Sequence, residues 1–180
     1  INAIGSEWQA RPTEIDYLPV DEHHPRRPDD VYGVGKHAME VTADAFGRRP
    51  DNHATIASLR LPWVPDETEV RETFAERDRG RDALRDAGDH TTRDVLFSYV
   101  HIEDAVRAAR RVVEADFKGH EPFWIVAADT TAAVPTRELV DEYFPDAECR
   151  GQFERHETLF DISKARELLG WEPDHSWREL

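Results

Sequence analysis

Cysteine is almost absent from this sequence, and Cys149 is the single one among 180 residues. One cysteine excludes an internal disulfide and a Cys-x-x-Cys metal site. Long hydrophobic runs are missing as well, because no stretch approaches the roughly 18 apolar residues that a membrane-spanning helix needs. The first residues, INAIGSEW, also lack a basic segment followed by an apolar run. We therefore expect a cytoplasmic chain with an inert free thiol and no membrane partner.

Lysine is scarce, and Lys36, Lys118 and Lys164 are the only ones. The chain has 23 basic and 38 acidic residues, the acids are spread along its whole length, and the formal net charge is −15. Such a surface repels phosphate backbones and anionic membranes, which argues against nucleic acid as a partner. A lysine-poor acidic surface is expected where concentrated salt screens self-repulsion. We predict a halophilic source, with an ordinary acidic cytosolic protein as the alternative.

The pattern of apolar residues predicts alternating strands and helices. Residues 54–61 (ATIASLRL) and 123–128 (FWIVAA) are typical of strands buried on both faces. Residues 1–5 are interpreted as a strand end, 6–28 as a proline-rich irregular connection, and 65–93 as a solvated helix plus loop. We expect four further helices: one capped by Asp29 or Asp30 and ending near Phe46, one opening at Glu103 or Asp104, one at 137–144 capped by Thr136, and one capped by Asp161 and closed by Gly170. The alternation indicates an α/β fold with a parallel sheet.

The first of these helices carries the chemistry, in Tyr32-Gly33-Val34-Gly35-Lys36. Residues four apart share one helix face, so the phenol of Tyr32 and the ammonium of Lys36 can meet in one site. The cation and the positive end of the helix dipole both favour the phenolate, which could take a proton from a hydroxyl. The two glycines cost about 1 kcal/mol each, and close approach of a flat ligand would compensate. The apolar face of this helix is predicted at Val34, Ala38, Val41, Thr42 and Ala45.

Several ordered segments resemble one family, the extended short-chain dehydrogenases, also called the NAD-dependent epimerase/dehydratase family. The residues LPVDEHHP at 18–25, Pro28 and YGVGK at 32–36 resemble the approach to its active-site helix. The segment YVHIEDA at 99–105 resembles its "YVHVDD" strand-to-helix junction, and FDISKA at 160–165 with LLGWEP at 168–173 resembles its C-terminal signature. The tyrosine–lysine spacing alone occurs by chance in many helices, whereas these motifs in order span nearly the whole chain.

The resemblance implies a nicotinamide-dependent enzyme that acts on a sugar or nucleotide sugar, with NAD as cofactor and NADP left open. It implies that Tyr32 is the general acid/base and that Lys36 also holds the nicotinamide ribose. Leu61 and Pro62 are then expected to contact the cofactor, and Trp63 to contact the substrate. The expected fold is a partial Rossmann-like parallel sheet with a small substrate-binding subdomain. Its active-site portion would be 1–64, and 65–180 would hold the substrate-binding portion interleaved with the last Rossmann strand and helix.

The sequence also departs from the family pattern at several positions. No Gly-x-x-Gly-x-x-Gly turn occurs, and the family's catalytic serine or threonine would fall just before Ile1. We therefore expect the C-terminal part of a longer enzyme, inactive by itself. Phe97 and Ser98 occupy the stretch where nucleotide-sugar members place a diphosphate-binding arginine, which leaves Arg93 as the candidate substrate contact. A dehydrogenase of a free sugar acid (uronate type) and a non-catalytic binding or assembly module remain as alternatives.

Two expectations concern assembly and metals. Family members commonly dimerise through the helix that carries the tyrosine, so the resemblance implies a homodimer with Val41 and Ala45 near its interface. The nine histidines show neither His-x-x-x-His nor His-Glu-x-x-His spacing, so no metal site is expected.

Overall fold

The computed structural model describes residues 1–5, 14–51, 54–75 and 93–179. Within them the chain forms β1 (Tyr17–Leu18), α1 (Val31–Gly47), β2 (Thr55–Arg60), α2 (Glu67–Ala75), α3 (Ile102–Glu114), β3 (Gly119–Trp124), α4 (Thr136–Tyr143), β4 (Glu148–Cys149) and α5 (Ser163–Leu169). Short 3₁₀ turns lie at Asn2–Ile4, Arg93–Val95 and Trp177–Glu179. The predicted segments at 6–28 and 65–93 are described only in part, since 6–13 and 76–92 lie outside these ranges.

The strands pair in parallel. β2 pairs with β3 from Thr55 opposite Gly119 to Arg60 opposite Trp124, and β1 pairs with β4. The connection from β2 to β3 contains α2 and α3, which is the strand–helix–strand arrangement of α/β proteins. The predicted α/β class with parallel pairing is confirmed.

The second buried strand is shifted from its predicted position. The sequence predicts a strand at 123–128, whereas β3 covers Gly119–Trp124. Ile125 still donates its N–H to Arg60 O at 3.2 Å, but Ala127 donates to Tyr99 O at 2.7 Å. The apolar run therefore leaves β2 and pairs with a neighbouring loop. The polar residues at its start, GHEP, were missed because their composition is not that of a buried strand.

Helix ends agree with the prediction where a local signal decides them. Asp30 caps α1 by accepting the Gly33 N–H at 2.8 Å, and Gly170 closes α5 with a left-handed φ of 57°. Asp161 accepts the Ser163 N–H at 2.8 Å, although the cap position of α5 is Ile162. Other ends are corrected: residues 2–4 form a 3₁₀ turn and not a strand end, His101 caps α3, and Thr136 donates its hydroxyl to Glu157 O without capping α4.

The apolar face of α1 is turned outward. Each residue predicted to form it is exposed: Val34, Ala38, Val41, Thr42 and Ala45. The face toward the sheet is formed by Gly33 and Glu40, which are buried, and by His37, Asp44 and Gly47, which are half-buried. A Cβ at Gly47 would lie 2.7 Å from His120 N, so glycine lets the end of α1 approach β3. The helix thus packs on the sheet through glycine and polar side chains.

One cluster of buried apolar side chains runs from Ile4 and Leu18 to Trp171. Trp124 and Trp171 are among the largest fully buried side chains of this cluster. The cluster includes residues on both sides of position 64, and the division into 1–64 and 65–180 stays a prediction. Among the described residues, no helix has the length and apolar character required to cross a bilayer.

Candidate cofactor and substrate cleft

A cleft of about 970 Å³ opens between the start of α1 and the end of β2. Its walls come from the 3₁₀ turn at 2–4, from α1, from β2 with the three residues that follow it, and from Val95. The volume is in the range of small-molecule and cofactor sites, roughly 300–1,000 Å³. Most of the residues predicted to form the site line this cleft: Tyr32, Lys36, Leu61, Pro62 and Trp63.

Tyr32 and Lys36 stand one turn apart on the exposed side of α1. The Lys36 ammonium lies 5.1 Å from the centre of the Tyr32 ring, within cation–π contact. Tyr32 keeps 55% of its surface exposed, so its ring is accessible from the cleft. Both side chains lie near the helix N-terminus, where the helix dipole favours negative charge. This geometry suits proton transfer between the phenol and a bound hydroxyl.

The two glycines between them have different surroundings. A Cβ at Gly33 would lie 2.6 Å from Asp30 Oδ2 and 2.8 Å from Asn2 O, so only glycine lets α1 begin against the first turn of the chain. A Cβ at Gly35 would meet nothing within 4 Å. The sequence predicts a ligand as the close neighbour of both glycines. At Gly33 the close neighbour is the protein itself, which corrects that expectation.

The three residues after β2 form one wall of the cleft. Leu61 O accepts a hydrogen bond from the amino group of Ile1 at 3.0 Å, and Trp63 O accepts one from the Val100 N–H at 3.0 Å. Pro62 is buried, and Leu61 and Trp63 are half-buried. Because both carbonyls are tied to other segments, this wall presents apolar side chains at a defined place.

A charged pair in the cleft wall escaped sequence analysis. Glu40 and Arg60 are 4% and 3% exposed. Arg60 donates from Nε and one terminal nitrogen to the two carboxylate oxygens of Glu40, each at 2.8 Å, and Arg26 adds a bond of 2.7 Å. Burial alone would raise the pKa of Glu40, but the hydrogen bonds and charges of Arg60 and Arg26 hold that pKa below its usual range. No local pattern reveals the pair, because its members lie 20 positions apart.

A second polar chain links α1 to the sheet. Ser58 Oγ lies 2.8 Å from His120 Nε2, and His120 Nδ1 lies 2.8 Å from Asp44 Oδ1. Serine, histidine and carboxylate in this order are also the partners of nucleophilic catalysis. However, Ser58 lies in the middle of β2, and the His120 side chain is only 2% exposed. The hydrogen bonds of Ser58, His120 and Asp44 therefore connect α1 to the sheet.

Arg93, the remaining predicted substrate contact, does not line the cleft. Its guanidinium lies 5.7 Å from the centre of the Phe144 ring, and its Nε donates to Tyr143 O at 3.4 Å. A terminal nitrogen lies 3.6 Å from the Asp94 carboxylate. The side chain thus contacts the C-terminal end of α4 and the residue that follows it.

The motif at 99–105 and the C-terminal motif that ends at 168–173 come together at Asp104. This carboxylate is fully buried and accepts the backbone N–H groups of Asp174 (3.1 Å) and His175 (3.0 Å). The His175 ring and Arg107 also contact it, at 3.0 and 2.9 Å. Its backbone carbonyl accepts the Trp171 indole N–H at 3.0 Å. This group, here called the C-terminal anchor, gives a physical reason for the two motifs to occur together.

His101, Glu103 and His175 place ligand atoms within 4.8 Å of one another. His101 Nε2 is buried and has no hydrogen-bond partner among the described residues. The two imidazoles are stacked, with ring centres 4.3 Å apart and planes inclined by 21°. Metal ligation uses nitrogen lone pairs that lie in the ring plane, and stacked rings do not direct these lone pairs to one point. The cluster has the spacing of a metal site without its geometry.

No protein-family model and no curated protein matches this chain. Solved structures do. MoeE5 in complex with UDP-glucuronic acid and NAD is 22% identical, with a TM-score of 0.58 over 99% of this chain and 59% of that one. UDP-N-acetylglucosamine 4-epimerase from Bacillus cereus is 20% identical, with a TM-score of 0.55 over 98% and 56%.

A mutated uronate dehydrogenase is 20% identical, with a TM-score of 0.54 over 99% of this chain and 45% of that one. The chain thus spans about 60% or less of the length of these structures. Identities at this level establish the fold. The chain therefore shares the fold of these structures over nearly its whole length, and the predicted α/β fold with parallel strands is confirmed.

Proposed function

We propose that this chain carries the acid/base pair of an NAD(P)-dependent enzyme that oxidises, epimerises or dehydrates a sugar or nucleotide sugar. The observation that carries the proposal is the cleft in which Tyr32 and Lys36 face the segment 61–63. MoeE5, with the same fold, binds NAD together with UDP-glucuronic acid. The residues present suit the nicotinamide end of such a cofactor. The sequence has no glycine-rich turn for its diphosphate, so that part of the site must come from other residues.

Each cleft residue has a role in this proposal. The Tyr32 hydroxyl exchanges a proton with a substrate hydroxyl, and the Lys36 ammonium stabilises the phenolate and hydrogen-bonds the cofactor ribose. Leu61 and Pro62 form the apolar wall against the nicotinamide, and Trp63 contacts the sugar. The bound nicotinamide supplies the hydride chemistry. The chain's own contribution is to hold the proton-transfer group beside the reacting carbon and to exclude water.

Calorimetric titration with NAD and NADP in high salt tests the cofactor assignment. It should be done on this chain and on a version extended upstream along the natural gene. We expect the extended version to bind and Lys36→Met to weaken its affinity at least tenfold. Absence of binding by either version would contradict the enzyme proposal and favour the alternative of a non-catalytic binding or assembly module.

Tyr32→Phe tests the acid/base role, because it removes one hydroxyl and keeps the ring. In the version that binds NAD we expect turnover to fall by about 10²- to 10⁴-fold, the usual contribution of general acid/base catalysis. Tyr143→Phe, on α4 and outside the cleft, is the matched control. A Tyr32→Phe enzyme with more than a tenth of the original turnover would exclude the role.

A free sugar acid is the second candidate substrate. Arg60 is neutralised by Glu40, and Arg93 points toward α4, so Lys36 is the cleft cation without a carboxylate partner among the described residues. A singly charged sugar acid needs fewer cations than a diphosphate, and the described part of the cleft offers only Lys36, which also serves the phenolate and the ribose. Assaying glucuronate and galacturonate beside UDP-glucose and UDP-glucuronate distinguishes the classes. Turnover of the UDP-sugars alone would reject the free acid.

We also propose that the chain forms a homodimer through the outward face of α1. Val34 and Val41 on that face are 50% and 48% exposed, and Val31 is 92% exposed. Apolar residues at this spacing are typical of helix–helix contacts. Sedimentation equilibrium of wild type and Val41→Glu tests it, with a dimer expected for the first and a monomer for the second. A wild-type monomer would contradict the proposal.

We also propose that the protein works in a cytoplasm with a high salt concentration. The net charge of −15 and the unbridged Cys149 suit a cytoplasm rich in salt. We expect the melting temperature to rise between 0.2 and 3 M KCl as screening reduces the repulsion among acids. A melting temperature that is unchanged or lower in 3 M KCl would reject the halophilic assignment.

A further inference from the structure

Three side chains lie along one stripe of α1 at intervals of one turn: Tyr32, Lys36 and Glu40. All three line the cleft, yet their burial differs. Tyr32 is 55% exposed, whereas Glu40 is 4% exposed and directed at the sheet. The stripe therefore begins with an exposed phenol and ends in a buried carboxylate on the same rigid element.

Arg60 approaches that carboxylate from the last position of β2, directly before the segment 61–63. Its two bonds of 2.8 Å to Glu40 form a bidentate fork, which fixes the direction of both side chains as well as their distance. Its remaining terminal nitrogen donates to Glu22 O at 3.2 Å, and its guanidinium lies 5.0 Å from the centre of the Trp124 ring. Arg60 is thus held on several sides and cannot follow a movement of α1 freely.

We propose that Glu40 and Arg60 are positioning residues that fix α1, and with it Tyr32 and Lys36, relative to the residues after β2. The inference rests on the function proposed above and adds two residues to it. Neither side chain needs to touch the reacting atoms. The pair acts by setting the separation of the two walls between which substrate and cofactor bind.

Substitutions can distinguish a positioning role of the Glu40–Arg60 pair from a stabilising role. A buried ion pair can often be exchanged for apolar side chains of similar volume at no cost in stability. Apolar side chains do not reproduce the directional fork. A displacement of about 1 Å can lower a reaction rate by about 10²-fold, so loss of the fork should be seen in geometry and turnover even where the fold is retained.

The test uses two variants, here called the clamp variants. The first combines Glu40→Met with Arg60→Met, and the second is Arg60→Lys, which keeps the charge and loses the fork. Spin labels at Gly35→Cys on α1 and Glu67→Cys on α2, in a Cys149→Ser background, report the distance between α1 and the helix that follows the wall segment 61–63. The position of Gly35 leaves room for a label, since a Cβ there meets nothing within 4 Å. The exposed pair of Arg137 and Asp141 on α4, changed to Gln and Asn, is the control.

We expect a narrow distance distribution in the wild type and in the control, and a broadened or shifted one in both clamp variants. In the NAD-binding version we expect the clamp variants to lose about 10²-fold in kcat with KM changed by less than threefold. A clamp variant that folds and keeps the wild-type distribution would overturn the proposal. Failure of both clamp variants to fold would overturn it too, because the pair would then serve folding.

These measurements distinguish a failure of the proposed function from a failure of the proposed positioning role. If the wild type shows no NAD-dependent turnover, the proposed function fails, while the distance distribution still decides the positioning role. If turnover exists and the distribution does not change in the clamp variants, the function stands and the positioning role fails.

Discussion

Glu40 on α1 and Asp104 on α3 are both buried carboxylates, yet different groups satisfy them. Glu40 is held by the guanidinium groups of Arg60 and Arg26. Asp104 is held chiefly by backbone N–H groups of the C-terminal segment, with the His175 ring and Arg107 beside them. The first arrangement fixes two side chains across a cleft. The second fixes the path of a chain segment that has no regular structure of its own.

The difference matches what each region has to do. The contact between α1 and the sheet, made by glycine and polar groups, leaves the apolar face of α1 outward and Tyr32 accessible. The C-terminal anchor buries Trp171 and closes the core behind α3. We therefore expect changes in the anchor to affect stability most, and changes beside α1 to affect the local position of the helix.

Asp104→Ala should have the largest effect on stability. It leaves the N–H groups of Asp174 and His175 without their acceptor and removes a buried negative charge beside Arg107. We expect a loss of about 3–5 kcal/mol in the free energy of unfolding, measured by urea denaturation. Asp174→Ala, which removes an exposed partner of Arg107, should cost less than about 1 kcal/mol. Equal losses for both variants would mean that the anchor depends on surface charge.

Alanine at the two glycines of α1 should change stability in opposite directions. Gly33→Ala places a Cβ against Asn2 O and should cost about 1–3 kcal/mol. Gly35→Ala has open space and should gain up to about 1 kcal/mol through helix propensity. Thermal melts of both variants test the fit of α1 against the first turn. A stabilised Gly33→Ala protein would show that this contact is loose.

The segment that leads into α1 should weaken first as the pH falls. Burial is the main cause of a lowered pKa for His24, whose Nδ1 lies 3.1 Å from Pro25 O and whose Nε2 accepts the Asp16 N–H at 3.1 Å. The unfolded chain then takes up a proton more readily than the folded one, so the stabilisation is complete above the ordinary value of 6.5 and declines below it. The slope is at most about 1.4 kcal/mol per pH unit for one proton.

Urea denaturation between pH 7.5 and 5.5 measures this slope. His24→Gln should flatten the profile, and His23→Gln, at the exposed neighbouring position, should leave it unchanged. A profile that is the same in all three proteins would assign the pH dependence to other groups.

The smallest effect is expected far from both regions. Arg137 and Asp141 form an exposed pair on α4, at 2.6 Å, with both side chains 59% exposed. Arg137→Gln should change the free energy of unfolding by less than about 0.5 kcal/mol, as in other exposed pairs. A larger loss in chemical denaturation would mean that the effects in the two regions include a general response to lost charge.

Much of the fold was predictable from local signals. Asp30 marks the start of α1, Gly170 marks the end of α5, and the apolar run 54–61 marks β2, because each of these features depends on neighbouring residues. The Tyr32–Lys36 spacing likewise predicts a shared helix face before any contact is known. The true start of β3 was missed because its first residues are polar and half-buried.

The orientation of α1 shows where local reasoning ends. An apolar stripe ordinarily faces a core, but here that stripe is exposed and the opposite face meets the sheet. The reversal depends on Arg60 of β2 and His120 of β3, which bind polar side chains of α1, and on the close approach of Gly47 to the backbone of His120. The position of Arg93 was unpredictable for the same reason, because Phe144 and Tyr143 are distant along the chain.

By itself, the amino-acid sequence determined the class of fold, the helix that carries Tyr32 and Lys36, and the acidic, cysteine-poor character of the chain. These follow from periodicity, capping residues and composition, which act over a few residues or are independent of folding. The tertiary structure alone decided which side of α1 meets the sheet, which carboxylates are buried with which partners, and which candidate residues share the cleft. Those outcomes depend on contacts between distant segments, such as Asp104 with His175, 71 positions apart, and only the folded chain brings them together.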